Sequence, residues 1–472
     1  MNQETARDFP ANARRALADD NLRAALTRAK GRFIDKRREA VNALPEFKTL
    51  CDEAVAIKDH TLANLANYLE AYEAKAIQAG TRVHWASTAA DARNTILDIC
   101  RKANAKTVTK GKTMVGEEID LNDHLEKAGL NVVETDLGEY IIQLRRERPS
   151  HIIAPAVHVT RQQIADNFKE HHKNLDPERS LEDRAALLAE ARQVLRAKYF
   201  EADVGITGAN YLVAETGSSV IVTNEGNGDL TQLLPKVHIV LASIEKVVPT
   251  LEDTTTILRV LARSATGQDY SAYTTFSTGP RRAQDQDGPQ EHHVIILDNG
   301  RSAMLGGKFR EMLRCIRCGA CMNHCPVYQV VGGHSYGWVY VGPMAAVLSP
   351  AFIGLAQSAH LPNASTFCGR CEEVCPMQIP LPKLMRYWRD EEYAEHLTPL
   401  AMRLVLRMWA FLARRPTLYH WIMGNKIRVL AFAGRRSGRF RWLPFARGWT
   451  AARDFPAPEG ATFQTQWMRR KQ

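Results

Sequence analysis

One stretch decides the fold of the second half of the chain: Cys315-Ile-Arg-Cys318-Gly-Ala-Cys321-Met-Asn-His-Cys325-Pro326. Its spacing is C-x2-C-x2-C-x3-C-P. Three cysteines at three-residue steps can wrap a short loop around one iron–sulfur cluster, and Gly319 lets the backbone approach that cluster closely. The fourth cysteine cannot bend back to the same cluster and is expected to ligate another one. The stretch therefore predicts a site with two iron–sulfur clusters.

A second cysteine stretch supplies the partner of the first: Cys368-Gly-Arg-Cys371-Glu-Glu-Val-Cys375-Pro376. Aligned on its Cys-Pro pair, it repeats the last three cysteines of the first stretch, and Ser365 stands where the first cysteine would be. In two-cluster ferredoxins the last cysteine of each stretch ligates the cluster of the other stretch, which we call the crossing rule. By this rule, the ligands expected for one [4Fe–4S] cluster are Cys315, Cys318, Cys321 and Cys375. The second cluster is left with Cys325, Cys368 and Cys371. Its missing ligand leaves three outcomes open: an oxygen ligand from Ser365, a [3Fe–4S] centre, or a [4Fe–4S] centre with a labile iron.

Structural zinc is the competing interpretation of these seven cysteines. Zinc usually takes two C-x2-C pairs, with four ligands for each ion. Four cysteines that end in Cys-Pro, followed by a matching set of three, do not divide in that way, so the spacing favours iron–sulfur clusters. The other two of the nine cysteines, Cys51 and Cys100, stand alone in segments with a helical pattern.

Composition and charge limit the class of protein. The 472 residues are 45% hydrophobic and 24% charged, which is ordinary for a folded protein of several domains. The net charge is +10, and residues 401–447 hold eleven Arg and Lys residues but no Asp or Glu, which favours an anionic partner surface. The start lacks the apolar region of a signal peptide, and no stretch reaches the roughly 18 apolar residues of a spanning helix. We therefore expect a cytoplasmic protein, with peripheral docking on the inner face of the membrane as an open alternative.

Periodicity divides the chain into four parts. Residues 1–80 are predicted to be helical, because apolar residues recur at three- and four-residue steps. Short apolar strands alternate with helices over residues 81–300, which predicts an α/β domain with a largely parallel sheet. The cysteine region covers residues 301–396. A basic segment, 397–472, begins with amphipathic helices and ends in an irregular tail.

Two loops of the α/β part, 205–219 and 222–227, are dense in Gly, Asn, Thr and Ser. Such loops at strand ends bind ligands in α/β proteins, often through backbone N–H groups. Glu215, Asn224 and Glu225 are the polar candidates there, although simple turn formation explains the same residues. The chain has no phosphate-binding loop and no G-x-G-x-x-G fingerprint of a dinucleotide site.

Several strings follow one another along the chain in an order typical of one family. They are Lys112-Thr-Met-Val-Gly-Glu117-Glu118-Ile, Val133-Glu134-Thr-Asp136-Leu-Gly-Glu139-Tyr-Ile-Ile, Gly205-Ile-Thr-Gly-Ala-Asn210, Gly226-Asn227, Ile244-Glu245-Lys246-Val-Val-Pro249, Ser277-Thr-Gly-Pro280, Leu297-Asp298-Asn299-Gly300-Arg301, the two cysteine stretches, Gly448-Trp449-Thr and Arg453-Asp454-Phe455-Pro-Ala-Pro458. With these strings the chain resembles the lactate utilization protein B family almost from end to end.

The resemblance implies a fold and a reaction. The fold would be an α/β LUD domain related to coenzyme A transferases, then an α-helical two-cluster ferredoxin domain and a basic helical C-terminal segment. The reaction would be the oxidation of L-lactate to pyruvate, together with a cysteine-rich partner subunit and a second LUD-domain subunit. In it this chain would carry electrons rather than hold the primary catalytic site. A transferase-type nucleophile would be a glutamate, for which Glu215 is the nearest candidate.

Other functions stay open. The three-cysteine cluster would suit an enzyme that binds its substrate at an open iron. The chain would also suit a 2-hydroxy acid or disulfide oxidoreductase subunit of another specificity. In the basic segment, Trp409, Trp421 and Trp442 lie among arginines, as in a surface that stacks on nucleic acid or docks on a membrane. With a cluster domain present, we expect a membrane surface or an acidic redox partner there and no nucleic acid.

Overall fold

The computed structural model describes residues 8–444, 446–451 and 453–470. They form two compact units, Met1–Glu392 and Tyr393–Gln472. In the described part of the chain, no helix combines the length and the apolar character that are needed to cross a membrane.

The first unit begins with a helical segment. Its helices are α1 (Phe9–Leu17), α2 (Asp20–Lys30), α3 (Lys36–Asn42), α4 (Phe47–Ala63) and α5 (Leu65–Gln78), with a π-helical turn at Gly31–Asp35. Helix α2 begins where the Asp19 side chain accepts the Leu22 N–H. The apolar residues Phe9, Leu26 and Phe47 are buried in the same core as the cysteine region. The helical segment is therefore part of the support of that region.

Ten strands follow in the α/β part of this unit. They are β1 (Arg82–Ala86), β2 (Thr107–Gly111), β3 (Asn131–Glu134), β4 (Val204–Gly208), β5 (Tyr211–Val213), β6 (Ser218–Thr223), β7 (Val237–Ser243), β8 (Val247–Val248), β9 (Tyr273–Ser277) and β10 (Glu291–Leu297). Six of them form one parallel sheet in the order β1-β10-β7-β4-β2-β3. Strands β4 and β7 are buried along their whole length, as expected for a parallel sheet that is covered on both faces.

Helices cover this sheet and connect its strands. They are α6 (Ala89–Lys102), α7 (Met114–Glu118), α8 (Leu121–Lys127), α9 (Leu137–Leu144), α10 (Arg161–His171), α11 (Arg184–Glu201), α12 (Asn227–Leu233) and α13 (Leu251–Thr266), with a 3-10 turn at Ile244–Lys246. Helix α6 begins with a capping box formed by Thr88 and Asp91. One apolar core lies between α6, α7, α8 and the sheet.

The remaining strands depart from the expectation of one largely parallel sheet. They form a separate four-stranded sheet in the order β8-β5-β6-β9, in which only β8 and β5 are parallel. Strands β5 and β6 are separated by only four residues, which permits a hairpin but no crossover helix. The alternation of strands and helices predicted for this part does not include a hairpin, and the antiparallel pairing depends on this short connection.

The cysteine region follows with mostly short helices. They are α14 (Arg301–Leu305), α15 (Ala320–Asn323), α16 (Tyr328–Val331), α17 (Gly342–Ile353), α18 (Leu355–Ser358), α19 (His360–Asn363), α20 (Arg370–Glu373) and α21 (Leu381–Ala394), with 3-10 turns at Arg310–Arg314 and His334–Tyr336. Their apolar residues share one core with α1, α2, α4, α13 and the second sheet.

The second unit holds the basic segment. Its elements are α22 (Leu400–Ala413), α23 (Pro416–Gly434), β11 (Arg439–Phe440), α24 (Arg447–Thr450), β12 (Phe455–Pro456) and α25 (Phe463–Arg470). Strands β11 and β12 pair antiparallel. Helix α22 has no buried residue.

Candidate iron–sulfur centre and an adjoining basic cavity

The two cysteine loops have the same local backbone. The residue before the second cysteine of the first loop, Arg317, and its counterpart Phe367 both have positive φ angles, 59° and 52°. The residue after that cysteine is Gly319 in one loop and Gly369 in the other, with φ angles of 75° and 80°. A one-turn helix then follows in each loop, and these helices, α15 and α20, pack against each other. The sequence repeat is therefore also a structural repeat.

Four cysteines gather around the first site. Cys315, Cys318, Cys321 and Cys375 line one cavity. Its other walls are mostly apolar, and Met344 Sδ lies 3.7 Å from Cys315 Sγ. Burial raises the pKa of the Cys375 thiol to about 11, opposed by the Ile379 N–H, and the negative charge of a Cys315 thiolate raises it further. Three cysteines from the first loop thus meet one from the second.

The other three cysteines form the second site. Burial raises the pKa of Cys371 to about 12, and the neighbouring sulfurs of Cys325 and Cys368 raise it further. Burial also raises the pKa of Cys325, while N–H groups of Val327 and Tyr328 lower it and Cys368 raises it. The side chain of Cys368 is exposed, whereas Cys371 is buried. The second site is therefore open toward solvent on the Cys368 side.

Ser365 occupies the place of an eighth cysteine. It is half-buried, and its Oγ accepts the N–H of Phe367 at 3.1 Å. Its backbone carbonyl accepts a hydrogen bond from Arg389 at 3.1 Å. The hydroxyl thus already has a role in shaping the loop.

The spacing of the sulfurs distinguishes the two metal chemistries. Four thiolates bound to zinc at about 2.3 Å would lie within about 4 Å of one another. Among the described residues, no three cysteine sulfurs lie within 4.8 Å of one another. That arrangement differs from the close grouping that a single zinc ion requires. Burial also makes free thiolates costly at both sites, and the positive charge of iron would offset that cost.

A buried ion-pair network joins the first cysteine loop to the α/β part. Arg301 donates to both oxygens of Glu118, at 2.9 and 2.7 Å, and Tyr340 donates its hydroxyl to the same carboxylate. Arg301 Nε lies 2.9 Å from Glu245, and Glu245 lies 3.6 Å from Arg317 of the loop. Burial alone would raise the pKa of Glu245, but Arg301 and Arg317 outweigh it and lower that pKa to about 2. The network fixes Arg317 next to the carboxyl end of β7.

A cavity of about 120 Å³ lies beside this network. Among the described residues, three basic side chains line it, from Lys112, Lys246 and Arg317, and no acidic side chain does. Residues that follow β2, β4 and β7 form one wall, together with Ile152 and Ile153, which lie close to Gly319 of the cysteine loop. The end of β4 comes close to the turn after β2, since a Cβ on Gly208 would meet the Lys112 carbonyl oxygen at 2.9 Å. The cavity therefore lies between the parallel sheet and the first cysteine site.

Comparisons with known proteins agree with this architecture. Two family models match, the LUD domain over residues 69–297 and the 4Fe-4S dicluster domain over residues 311–379. Lactate utilization protein B from Lysinibacillus sphaericus (strain C3-41) is 41% identical over 98% of this chain and 97% of the relative. The chain belongs to the lactate utilization protein B family. The expected order of a LUD domain followed by a dicluster domain is thereby confirmed.

Other matches add detail. The protein of the same name from Bacillus velezensis is 41% identical and covers 98% of this chain and 96% of the relative. An uncharacterized electron transport protein of Escherichia coli (strain K12), YkgF, is 40% identical over 98% of this chain and 97% of the relative. A DUF162 family protein of known structure from Deinococcus radiodurans covers 49% of this chain and 98% of its own, at 14% identity and a TM-score of 0.28, which is too low to carry an argument.

The predicted loop residues of the LUD domain have separate roles. Glu215 is exposed, and its carboxylate accepts the Leu251 N–H at 3.0 Å, at the start of α13. It does not line the cavity, so the structure gives no support to Glu215 as a nucleophile. Asn224 does line the cavity, and its Oδ1 accepts the Ala272 N–H at 3.0 Å. Glu225 is exposed and lies outside the cavity.

The sequence interpretation did not place Lys246 and Arg317 at one site. It put Lys246 in a loop at the end of the sheet, and it gave Arg317 a possible electrostatic effect on the cluster potential. Both line the cavity from different domains. The one available signal was the position of Glu245-Lys246 directly after a strand, where parallel sheets bind ligands.

Proposed function

We propose that this chain is the iron–sulfur subunit that carries electrons away from L-lactate as it is oxidised to pyruvate. The grouping of seven cysteines into a set of four and a set of three is the observation that carries the proposal. Curated relatives of this family bear the name lactate utilization protein B, and another relative is called an electron transport protein. We propose a cysteine-rich subunit and a second LUD-domain subunit as partners in the same system.

We propose that the ligands follow the crossing rule. One [4Fe–4S] cluster would take the four cysteines of the first site, and the second cluster would take Cys325, Cys368 and Cys371. Such clusters, when bound, accept and give up single electrons at potentials that their surroundings adjust. N–H groups at Val327 and Tyr328, which hydrogen-bond to Cys325, would raise the potential of the second cluster.

The protein's own residues set the surroundings of each site. Around the first site, Met312, Met344 and Ile379 exclude water, which limits side reactions. Arg317 brings a buried positive charge to that loop, which favours the reduced state electrostatically. At the second site, Arg370 is exposed and pairs with Glu373, so its charge is largely compensated.

The experiment replaces one cysteine of each site. Cys318→Ser and Cys371→Ser are introduced separately into a bacterium that depends on this chain for growth on L-lactate. We expect Cys318→Ser to lose about four irons per chain, Cys371→Ser to lose about three or four, and both variants to lose growth on L-lactate. Cys100→Ser, in the LUD domain, serves as the control and keeps both. Growth that survives the loss of both clusters would contradict the proposal.

A second function has one observation in its favour. The second site offers only three thiolates, and one of them, Cys368, is exposed, so a substrate could reach an open iron there. A change in the EPR signal of that cluster on addition of L-lactate or pyruvate, lost in Cys371→Ser, would favour this function over the relay.

A further inference from the structure

The cavity beside the first cysteine loop lies where parallel sheets bind ligands. In the main sheet, the chain proceeds outward from β2 to β3 and then returns to the other side of β2 with β4. The strand order therefore reverses between β2 and β4, and crevices at such reversals, outside the carboxyl ends of the strands, hold ligands in open α/β sheets. Lys112 and Thr113 after β2, and Ala209 and Asn210 after β4, line this cavity.

The charge of the lining has one sign. In the part of the chain that the structure describes, the charged residues of the lining are Lys112, Lys246 and Arg317. Glu245, behind the cavity, is shared between Arg301 and Arg317 and already compensates part of their charge. The lysines thus remain as an excess of positive charge next to a low-dielectric wall, which attracts an anion.

Two donors in the lining lack partners. Lys246 is 7% exposed, and its ammonium group has no hydrogen-bond or ion-pair partner among the described residues. Arg317 lines the same cavity from the dicluster domain, and its Nη1 is buried without a hydrogen-bond acceptor in the described structure. A buried donor without an acceptor is costly, so an anion that accepts from Arg317 Nη1 would remove that cost, and the neighbouring Lys246 would add its positive charge.

The rest of the lining suits an organic anion rather than a bare inorganic one. Ile152, Val222 and Leu261 give the cavity an apolar side, while Asn210 and Thr113 add polar groups. A cavity of about 150 Å³ accepts benzene. A cavity of 120 Å³ therefore has room for a short organic acid.

We propose that this cavity binds a short-chain organic carboxylate, of the 2-hydroxy or 2-oxo acid class, with Lys246 and Arg317 as the residues that hold the carboxylate. The inference rests on the proposed function for the choice of acid, because L-lactate and pyruvate belong to this class. It places the ligand next to the loop that carries Cys315 and Cys318. It also assigns the LUD domain a binding role of its own.

The test measures binding without turnover. The full chain is purified without oxygen, its iron is counted, and L-lactate and pyruvate are titrated in by calorimetry. Lys246→Met removes the charge but keeps the length of the side chain, and Lys236→Met, an exposed lysine that does not line the cavity, is the matched control. We expect the affinity to fall about tenfold or more in Lys246→Met, as for the loss of a charge-assisted hydrogen bond, and to stay unchanged in Lys236→Met. Lys246→Arg should keep most of the affinity of the wild-type chain.

The remaining outcomes distinguish a failure of the carboxylate site from a failure of the electron relay. Absence of binding to the wild-type chain with full iron, equal binding by Lys246→Met, or equal binding of inorganic phosphate would overturn the carboxylate site and leave the electron relay standing. A chain that binds pyruvate but holds no iron would overturn the relay and leave the carboxylate site standing. If Lys246→Met does not fold, the half-buried Lys112→Met gives the same comparison.

Discussion

The two cysteine sites share one backbone design but have different surroundings. At the first site, four sulfurs enclose a mostly apolar cavity, and Arg317 ties the loop to the LUD domain. At the second site, three sulfurs gather and Cys368 is exposed. On this side Tyr336 packs against Phe9 of α1, with ring centroids 5.4 Å apart. The difference teaches that a repeated motif can serve two roles. The enclosed site adjoins the ligand cavity, and the open site is suited to exchange electrons with a partner.

The largest effect should come from breaking the support of the first site. Glu118 and Arg301 are both fully buried, and removing one member of such a pair leaves an uncompensated charge. We expect Glu118→Gln to lower the free energy of unfolding by about 3–5 kcal/mol. The EPR signal of the first cluster should change, while that of the second stays the same.

The control for this variant is Glu126→Gln, because Glu126 is exposed on α8. Chemical denaturation without oxygen measures the stability of both variants. Equal changes in both cluster signals would show that the ion-pair network does not distinguish the two sites.

Acid should weaken the LUD domain. Burial lowers the pKa of His292 to about 4 and the pKa of His238 well below its ordinary value, and both lie in the main sheet of the LUD domain. The unfolded chain, with histidine pKa values of about 6.5, binds more protons than the folded chain below that pH. Stability is therefore full above pH 6.5 and falls as the pH drops toward 4. Between pH 7 and pH 5 we expect a loss of about 2 kcal/mol for each buried histidine.

His292→Asn tests this pH dependence. It should reduce the difference in unfolding free energy between pH 7 and pH 5, whereas His360→Asn, at an exposed position, should not. An unchanged difference in His292→Asn would contradict the role of the buried histidines.

Air should damage the second site before the first. With three thiolates and an exposed Cys368, the second cluster should release about one iron per chain on brief exposure to oxygen and give the EPR signal of a [3Fe–4S] centre. The enclosed first cluster should keep its iron. Iron analysis and EPR before and after exposure measure the iron content and the state of both clusters. Loss of iron from the first cluster before the second would contradict this prediction.

A smaller effect should follow from completing the second site. Ser365→Cys supplies a thiolate at the position that matches Cys315, so the iron that air removes should be retained. Ser365→Ala is the matched control, since it removes the hydroxyl without adding a ligand. If Ser365→Ala loses an iron that the wild type keeps in the absence of oxygen, the hydroxyl is itself a ligand.

Much of this account could be predicted from the sequence, because its signals are local. Cysteine spacing indicated the clusters, and the alternation of apolar strands with helices over residues 81–300 predicted a parallel sheet, which the structure contains. Glu215 also looked like a functional residue because of its place in a polar loop. In the structure it caps α13, a role that depends on where Leu251 lies 36 residues later.

Contacts between distant segments could not be predicted. Arg301 meets Glu118 across 183 residues, and Arg317 meets the turn after β7 only when the two domains pack together. The cavity exists only in that packing, and the position of Lys246 and Asn224 after strands indicated at most ligand binding there, without the part that Arg317 takes. The domain limits and the ligand assignment stay predictions.

The most direct measurement compares EPR spectra and iron counts of Cys375→Ser and Cys325→Ser, purified without oxygen. Each variant changes the last cysteine of its own loop. The crossing rule predicts that this cysteine ligates the cluster of the other loop, whereas the alternative is that it ligates the cluster of its own loop. The account predicts that Cys375→Ser loses the signal that Cys315→Ser loses, and that Cys325→Ser loses the signal that Cys371→Ser loses. If Cys325→Ser instead removes the same signal as Cys318→Ser, each loop holds its own cluster and the account of two unequal sites is wrong.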